Sequence, residues 1–373
     1  MISVKLERRL ERKRFLVVSV PAMSIFAALV AGAVFLEATG RPSGAVLSHM
    51  AEAAFGSMDG ITNTLGTCTP LIFTGLAAAI AMRMGLYNIG GEGQLYAGAI
   101  ASSGAALAWT QDASTPFAIT VVFVAGAVGG MVWILIPALA RAFLGTSEVI
   151  TTLMMVFVAD RLLDYLILGS DSYWRDPLSV GFPKGERIPE AAQFAKWFDG
   201  SLVTVALPVA VVMVLVVWAI GWRTSLGFEM KVIGDSPNAA RYAGIAQRRT
   251  IVVALLMSGA LAGMAGATEV GARAYQLDPG GLRLSLGFTG IVVAALARAN
   301  PFGAALVAFF LGGLQSAGRS IQAASDVQVP KSLALTLQGT ILLFVLGGEI
   351  FSRYRPRVAF NAATPHERLG AEA

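Results

Sequence analysis

The chain has 373 residues, of which 55% are hydrophobic and 14% charged, with a formal net charge of +5. Apolar runs long enough to cross roughly 30 Å of hydrocarbon recur from Phe15 to Ile350, which excludes an ordinary soluble protein and identifies an all-α polytopic membrane protein. The basic balance does not indicate a nucleic-acid partner, because the charges cluster beside the apolar runs, and a single cysteine, Cys68, excludes an intrachain disulfide and a cysteine-based metal site.

In chain order, residues 1–14 form a basic N-terminus carrying six Lys or Arg residues. The apolar run behind it is too long for a cleaved signal peptide and reads as a retained span starting from the cytoplasm. Ten candidate spans follow within a transmembrane domain at 15–352: 15–36, 62–83, 91–110, 117–140, 147–168, 201–222, 250–268, 284–299, 302–318 and 331–351. The short pair at 284–299 and 302–318, joined at Asn300-Pro301, reads either as two spans or as a re-entrant hairpin, so the expected count is about ten, within eight to ten. Alternation places Arg141, Arg223, Lys231, Arg241, Arg248, Arg249, Arg298, Arg353, Arg355 and Arg357 on one side, which makes both termini, including the tail 353–373, cytoplasmic.

Four connecting regions carry information. Between Gly44 and Asp59, Val46, Met50, Ala53 and Ala54 fall at helical spacing and predict a short amphipathic helix. Gly85–Leu95 sets Asn88, Glu92 and Gln94 among glycines between two apolar runs. Unwound backbone of that kind survives in a bilayer only where protein buries it or it lines a cavity, so the segment predicts a broken helix on a substrate route, with Tyr87, Tyr96 and Phe288 as flat faces. The alternative role for Glu92 is a helix cap, and Arg83 either pairs with it or snorkels to the interface. The outside loop 169–200, with Tyr173, Trp174 and Trp197, reads as a docking surface, an interfacial helix or a solvated loop. In the inside loop 223–249, Ser236 is an N-cap, Pro237 a first helical residue, Asn238, Ala239, Ala240, Arg241 and Tyr242 the body and Gly244 the stop of a short helix, either a lever for a cytoplasmic partner or a juxtamembrane helix.

The G-x-x-x-G pairs Gly126/Gly130 and Gly259/Gly263, the latter continued by Gly266, predict close helix packing. No Gly-Lys dipeptide occurs, so a P-loop is absent, as are H-E-x-x-H and G-x-S-x-G; the chain is not expected to be an enzyme or to hold a cofactor or metal of its own. Among ionisable residues in the spans, Asp160 and Asp164 share a helix face with Arg161 in reach, which suits mutual pairing or, as an alternative function, ion coupling in a secondary transporter. A passive channel filtered by Gly90–Gly93 is a further alternative.

Gly85–Leu95 resembles the "GLFNIGxEGQL" signature of permease subunits in ATP-binding cassette (ABC) importers of the branched-chain amino acid, simple-sugar and nucleoside group, with Tyr87 at the usual Phe position. Thr146–Met155, Val232–Ile245 and Leu286–Gly303 are similar, in the same order, to that family's "NEVIxTIMLN", "AVGxNPxAARYAGI" and "GFxGIAVALLGxNxPxG" blocks. Val156 replaces a frequent Asn, and Ala297-Arg298-Ala299 a glycine or polar stretch. The resemblance implies a type II ABC importer-like bundle with broken or re-entrant helices in the bacterial inner membrane, most similar to nucleoside-type permeases, with a simple-sugar permease as the alternative. It also implies a second, different permease, an extracytoplasmic substrate-binding lipoprotein, and a cytoplasmic ABC ATPase that binds ATP and Mg and docks on the 236–244 helix.

Overall fold

The computed structural model describes residues 2–8, 14–169, 174–179, 181, 183–198, 200–323 and 354–360, with isolated positions between 336 and 348. The chain divides into two units, 1–47 with 329–373, and 48–328. In the first, β1 (Ile2–Arg8) pairs antiparallel with β2 (Tyr354–Phe360), Ile2 opposite Phe360 and Arg8 opposite Tyr354, and α1 covers Arg14–Ala38. This two-stranded ribbon is the exception to the expected all-α fold, and it joins the basic N-terminus to the tail.

The second unit is helical. Its elements are the end of α2 (Ser43–Ala51), α3 (Met58–Arg83), α4 (Gly91–Trp109), α5 (Thr115–Leu139), α6 (Glu148–Asp164), α7 (Ala206–Arg223), α8 (Ser225–Asp235), α9 (Pro237–Tyr242), α10 (Gln247–Thr268), α11 (Pro279–Leu282), α12 (Leu286–Leu296) and α13 (Pro301–Ala323). The amphipathic helix expected at 44–59 is present as α2 and a π-helical turn at Glu52–Gly56, with Val46, Met50 and Ala54 buried.

Six helical stretches among the described residues are long and apolar enough to cross a membrane: 58–83, 115–144, 206–223, 247–274, 279–296 and 301–321. The chain is therefore a helical polytopic membrane protein, but the expected eight to ten spans are not reached. The segments expected at 91–110 and 147–168 do form helices. α6 is 17 residues long and carries Asp160, Arg161 and Asp164, while α4 is buried along most of its length. A helix walled in by protein needs no lipid-compatible surface, so its composition can stay mixed. Of α1, only Phe26–Ala38 counts as a shorter apolar helix, and the span expected at 331–351 lies, apart from isolated positions, outside the described residues.

α3 is the axis of this unit, buried from Thr62 to Ala81 with few interruptions and packed on α7, α10, α12 and α13. Beside it, α4, α5 and α10 cross through their glycines. A Cβ added at Gly130 would lie 2.0 Å from the Gly259 carbonyl oxygen, and one at Gly263 would lie 2.0 Å from the Gly126 oxygen. The two G-x-x-x-G pairs thus face each other, and Gly266 packs in the same way on the Leu95 carbonyl of α4. Without a hydrophobic force between helices in lipid, such close backbone approach supplies the packing that holds them.

The Asn300-Pro301 junction separates a short helix from a full-length one. α12 has 11 residues, roughly 16 Å of rise, and α13 has 23. Between them, Arg298 donates its N–H to Ala295 O and Ala299 to Ala294 O, the hydrogen-bond pattern of a helix end that normally takes glycine, yet Arg298 and Ala299 both sit at positive φ (53° and 57°). The departure from the family's glycine noted in the sequence therefore falls where glycine would cost least. Asn300 Oδ1 then accepts from the N–H groups of Phe302 and Gly303 and starts α13.

The 169–200 loop is not a flat helix in its described part, and it exposes Leu178, Trp197 and Phe198. Its N–H groups at Gly185, Ile188 and Phe194 donate to the carbonyls of Leu277, Tyr275 and Gly271, so the loop lies on the turn between α10 and α11, with a single short helical turn at Glu190–Ala192. Tyr173 lies outside the described residues.

The glycine crossing gives a direct test. Gly130→Ala should destabilise the purified protein by about 1–3 kcal/mol through overpacking, whereas Gly44→Ala, in open space on α2, should be neutral or slightly stabilising. Thermal unfolding in detergent separates the two, and equal midpoints would contradict the crossing.

Candidate functional site

α3 stops at a glycine. Gly85 (φ +71°) donates its N–H to Met82 O and Leu86 to Ala81 O, closing the helix in a Schellman turn. Arg83, in the last turn, does not pair with Glu92 as the sequence allowed. Its guanidinium donates to the carbonyls of Gly221 and Gly227 and stacks 4.0 Å over the Trp222 ring, tying α3 to α7 and α8. Stacking and carbonyl acceptors satisfy a cation at a helix end without a carboxylate.

From Leu86 the chain climbs back into the bundle. Asn88, 4% exposed, donates through Nδ2 to Gln94 Oε1 (2.8 Å) and Ser258 Oγ (2.8 Å), and its Oδ1 accepts from Gln94 Nε2 (2.9 Å) and the Gly90 N–H (3.0 Å). Ser258 Oγ in turn donates to Ala77 O (2.6 Å). The two amides predicted as site residues are therefore brought together, and both commit their hydrogen bonds to fixing the loop between α3 and α10. Ser258 was not singled out in the sequence, since one hydroxyl in an apolar helix carries no local signal.

Glu92 stands in the first turn of α4 and accepts from Tyr96 OH through Oε1 (3.0 Å) and from the Gly287 N–H through Oε2 (2.6 Å). Gly287 lies in the first turn of α12, whose N-cap, Ser285, makes no capping bond of its own. The carboxylate so stands at two helix N-termini, where orphan N–H groups and both macrodipoles favour a negative charge. A side chain at Gly287 would strike the Glu92 backbone at 2.2 Å, which explains the glycine. Glu92 acts as a cap, but for a helix nearly two hundred residues away. Tyr96 is buried with its hydroxyl on Glu92, whereas Tyr87 is 54% and Phe288 37% exposed, and Tyr87 sends its N–H to Glu148.

The second group of predicted residues forms at the Arg83 end. Ser236 Oγ caps α9 at the Ala239 N–H, Pro237 opens it, and Gly244 (φ +72°) closes it in another Schellman turn. Asn238, Ala239, Arg241 and Tyr242 are exposed, while Ala240 is fully buried. α8, which precedes it, was not foreseen; its signals were the Thr224 cap and the inward spacing of Gly227, Met230 and Ile233. Asp160 and Asp164 pair with Arg161 as expected and also with Arg283, at 2.8 and 2.7 Å. Two acids against two guanidiniums leave a balanced cluster.

If Glu92 holds α12 in place, its replacement should cost more than that of Tyr96. Glu92→Leu strands the Gly287 N–H and should lose about 1–3 kcal/mol, Tyr96→Phe about 1 kcal/mol, and Glu92→Gln an intermediate amount. Unfolding midpoints of the purified variants give the ranking, and a stable Glu92→Leu protein would refute it.

Comparison with known proteins places the sequence in a family. A family described as the permease component of the branched-chain amino acid transport system matches residues 60–346. A glucose ABC transporter permease, TsgB13 of Haloferax volcanii, is 32% identical over 100% of this chain and 99% of its own. A nucleoside permease, NupB of Lactococcus lactis, is 30% identical over 95% and 98%, and a guanosine permease, NupP of Bacillus subtilis, 32% over 89% and 94%. A second permease of each of the latter two organisms, NupC and NupQ, also matches, at 26% and 25%. No solved structure matches. With a family match across most of its length and a helical bundle built around the motif residues, the chain belongs to the branched-chain amino acid transport system permease component family of ABC transporters.

Proposed function

We propose that this permease carries nucleosides, or related sugars, into the cell through a complex driven by a separate ABC ATPase. The observation that carries the reading is the near full-length similarity to permeases named for nucleoside, guanosine and glucose transport. The exposed α8–α9 pair supports the site of coupling. α9 is capped at both ends, presents Asn238, Ala239, Arg241 and Tyr242 outward, and is pinned through Gln247 Nε2, which donates to Pro237 O. It can therefore pass a push into α10 and, by way of α8 and Arg83, into α3. Closure of ATP-bound ATPase domains would favour the outward-facing form, and hydrolysis the return, because nucleotide state moves the equilibrium only through a difference in affinity for the two forms.

In this reading ATP and Mg bind the ATPase, a substrate-binding lipoprotein delivers cargo, and a second, different permease completes the pathway. That similar pairs of permeases occur in Lactococcus lactis and Bacillus subtilis favours such a heterodimer. Antiparallel pairing of β1 with β2 suits termini on one side, which we assign to the cytoplasm of a bacterial inner membrane. Along the route, Asn88, Glu92, Gln94 and Tyr96 hold the broken segment open in shape, and Tyr87 and Phe288 offer exposed faces to cargo. The balanced Asp160–Asp164 cluster gives no spare carboxylate for ion coupling.

Two measurements test the reading. Uptake by vesicles carrying the full complex should require ATP and survive a protonophore; uptake that persists without ATP and collapses with the protonophore would defeat it. Ala239→Trp should weaken the coupling contact by about 1–3 kcal/mol, lowering stimulated ATPase activity while leaving folding normal, whereas Ala240→Trp should damage the loop itself. Full transport by the Ala239 variant would remove α9 from the contact.

A further inference from the structure

The end of the 48–328 unit farthest from α8 and α9 holds a second polar cluster that none of the motif blocks includes. Three helices bring it together. α3 meets α7 and α8 at Arg83, so Thr67 lies roughly 24 Å along the axis from that end. α13 starts there too, since Pro301 and Arg83 line one cavity, and Arg319 follows roughly 27 Å on. α10 starts at Gln247 beside α9 and reaches its π-helical continuation, Glu269–Ala274, after roughly 33 Å.

At that level Glu269, 3% exposed, pairs with Arg273 at 2.9 Å. Arg319 donates to Thr67 Oγ1 and lies in the electrostatic field of the Glu269–Arg273 pair. One turn before Arg319, on the same face of α13, Gln315 is 8% exposed, and its Nε2 donates to no acceptor among the described residues. A buried amide donor without an acceptor is destabilising, and the rarity of such groups makes each one a question about what it waits for. The spare capacity is mostly of one kind, since beyond the Gln315 carbonyl oxygen it consists of donors. Gln315 Nε2 and the further N–H groups of Arg319 are donors, and the one carboxylate in reach, Glu269, is already held by Arg273.

We infer that Gln315, Arg319 and Thr67 form a station on the transport route that receives the oxygen acceptors of a neutral polyhydroxylated cargo, a sugar or the ribose of a nucleoside. The inference rests on the functional reading above and adds where cargo is held at the end opposite the coupling helices. Donors that stay fixed while cargo exchanges suit oxygen-rich molecules, and a neutral cargo leaves the Glu269–Arg273 pair undisturbed.

The test uses the reconstituted complex of both permeases, the ATPase and the substrate-binding lipoprotein, with uridine, guanosine and glucose as probes. Gln315→Leu keeps the volume and removes the donor; the station requires ATP-driven uptake of the transported probe to fall about tenfold with assembly of the complex retained. Arg319→Lys, which keeps the charge but loses the planar fork of donors, should fall by a similar factor. If Gln315 is only a buried orphan, Gln315→Leu will instead raise the unfolding midpoint and transport at the wild-type rate, and that result overturns the station. Failure of the wild-type complex to carry any of these probes would overturn the functional reading and the station with it, whereas transport by the wild type matched by both variants would overturn the station alone.

Discussion

The architecture depends on one carboxylate between two helix beginnings. α4 starts inside the bundle because the chain turns back after Arg83, and α12 starts inside it because α11 and the Arg283–Ser285 turn precede it. Each start leaves N–H groups without intrahelical partners, and in a membrane interior no water is at hand to satisfy them. Glu92 answers both needs with a single side chain, accepting from Gly287 while it sits in the first turn of α4. The Tyr96 hydroxyl completes its coordination. Without this charge two broken helices would face each other with like dipole ends and unpaired donors, which is why the segment needs an acid and glycines together.

Around that centre the structure is held by contact between backbones. The interlocked glycines of α5 and α10, and the approach of Gly266 to α4, bring main chains closer than any side chain allows. Arg83 and α9 lie at one end of these helices and the Glu269–Arg273–Arg319 group at the other, so the same rigid rods connect an exposed helix pair to a buried polar layer. A displacement of α8 and α9 therefore has a mechanical route to the opposite end through α3 and α10.

Much of the site was legible locally. Ser236, Pro237 and Gly244 mark the ends of a helix by their own backbone chemistry, and they do so without reference to the rest of the chain. The same holds for Gly85. The role of Glu92 as a cap was also readable, but the helix it caps was not, since nothing near position 92 names Gly287. Arg83 shows the opposite case: a nearby acid in the sequence suggested a pair, and the fold gave it carbonyls and an indole instead. Glu269, Arg273 and Arg319 carried the signal of charges within apolar helices and were passed over because no motif surrounds them.

Composition and periodicity alone determined that this is a helical membrane protein, and the spacing of its glycines and caps determined where helices stop and where they cross closely. These are properties of short segments, decided by hydrogen-bond supply and side-chain size within a few residues. Only the tertiary structure decided which helices are walled in by others, as α3 is, and which distant groups meet. Asn88 with Ser258, Glu92 with Gly287, Asp160 with Arg283 and Thr67 with Arg319 are each separated by more than a hundred residues. Such pairings are fixed by the packing of whole helices, and no local pattern records them.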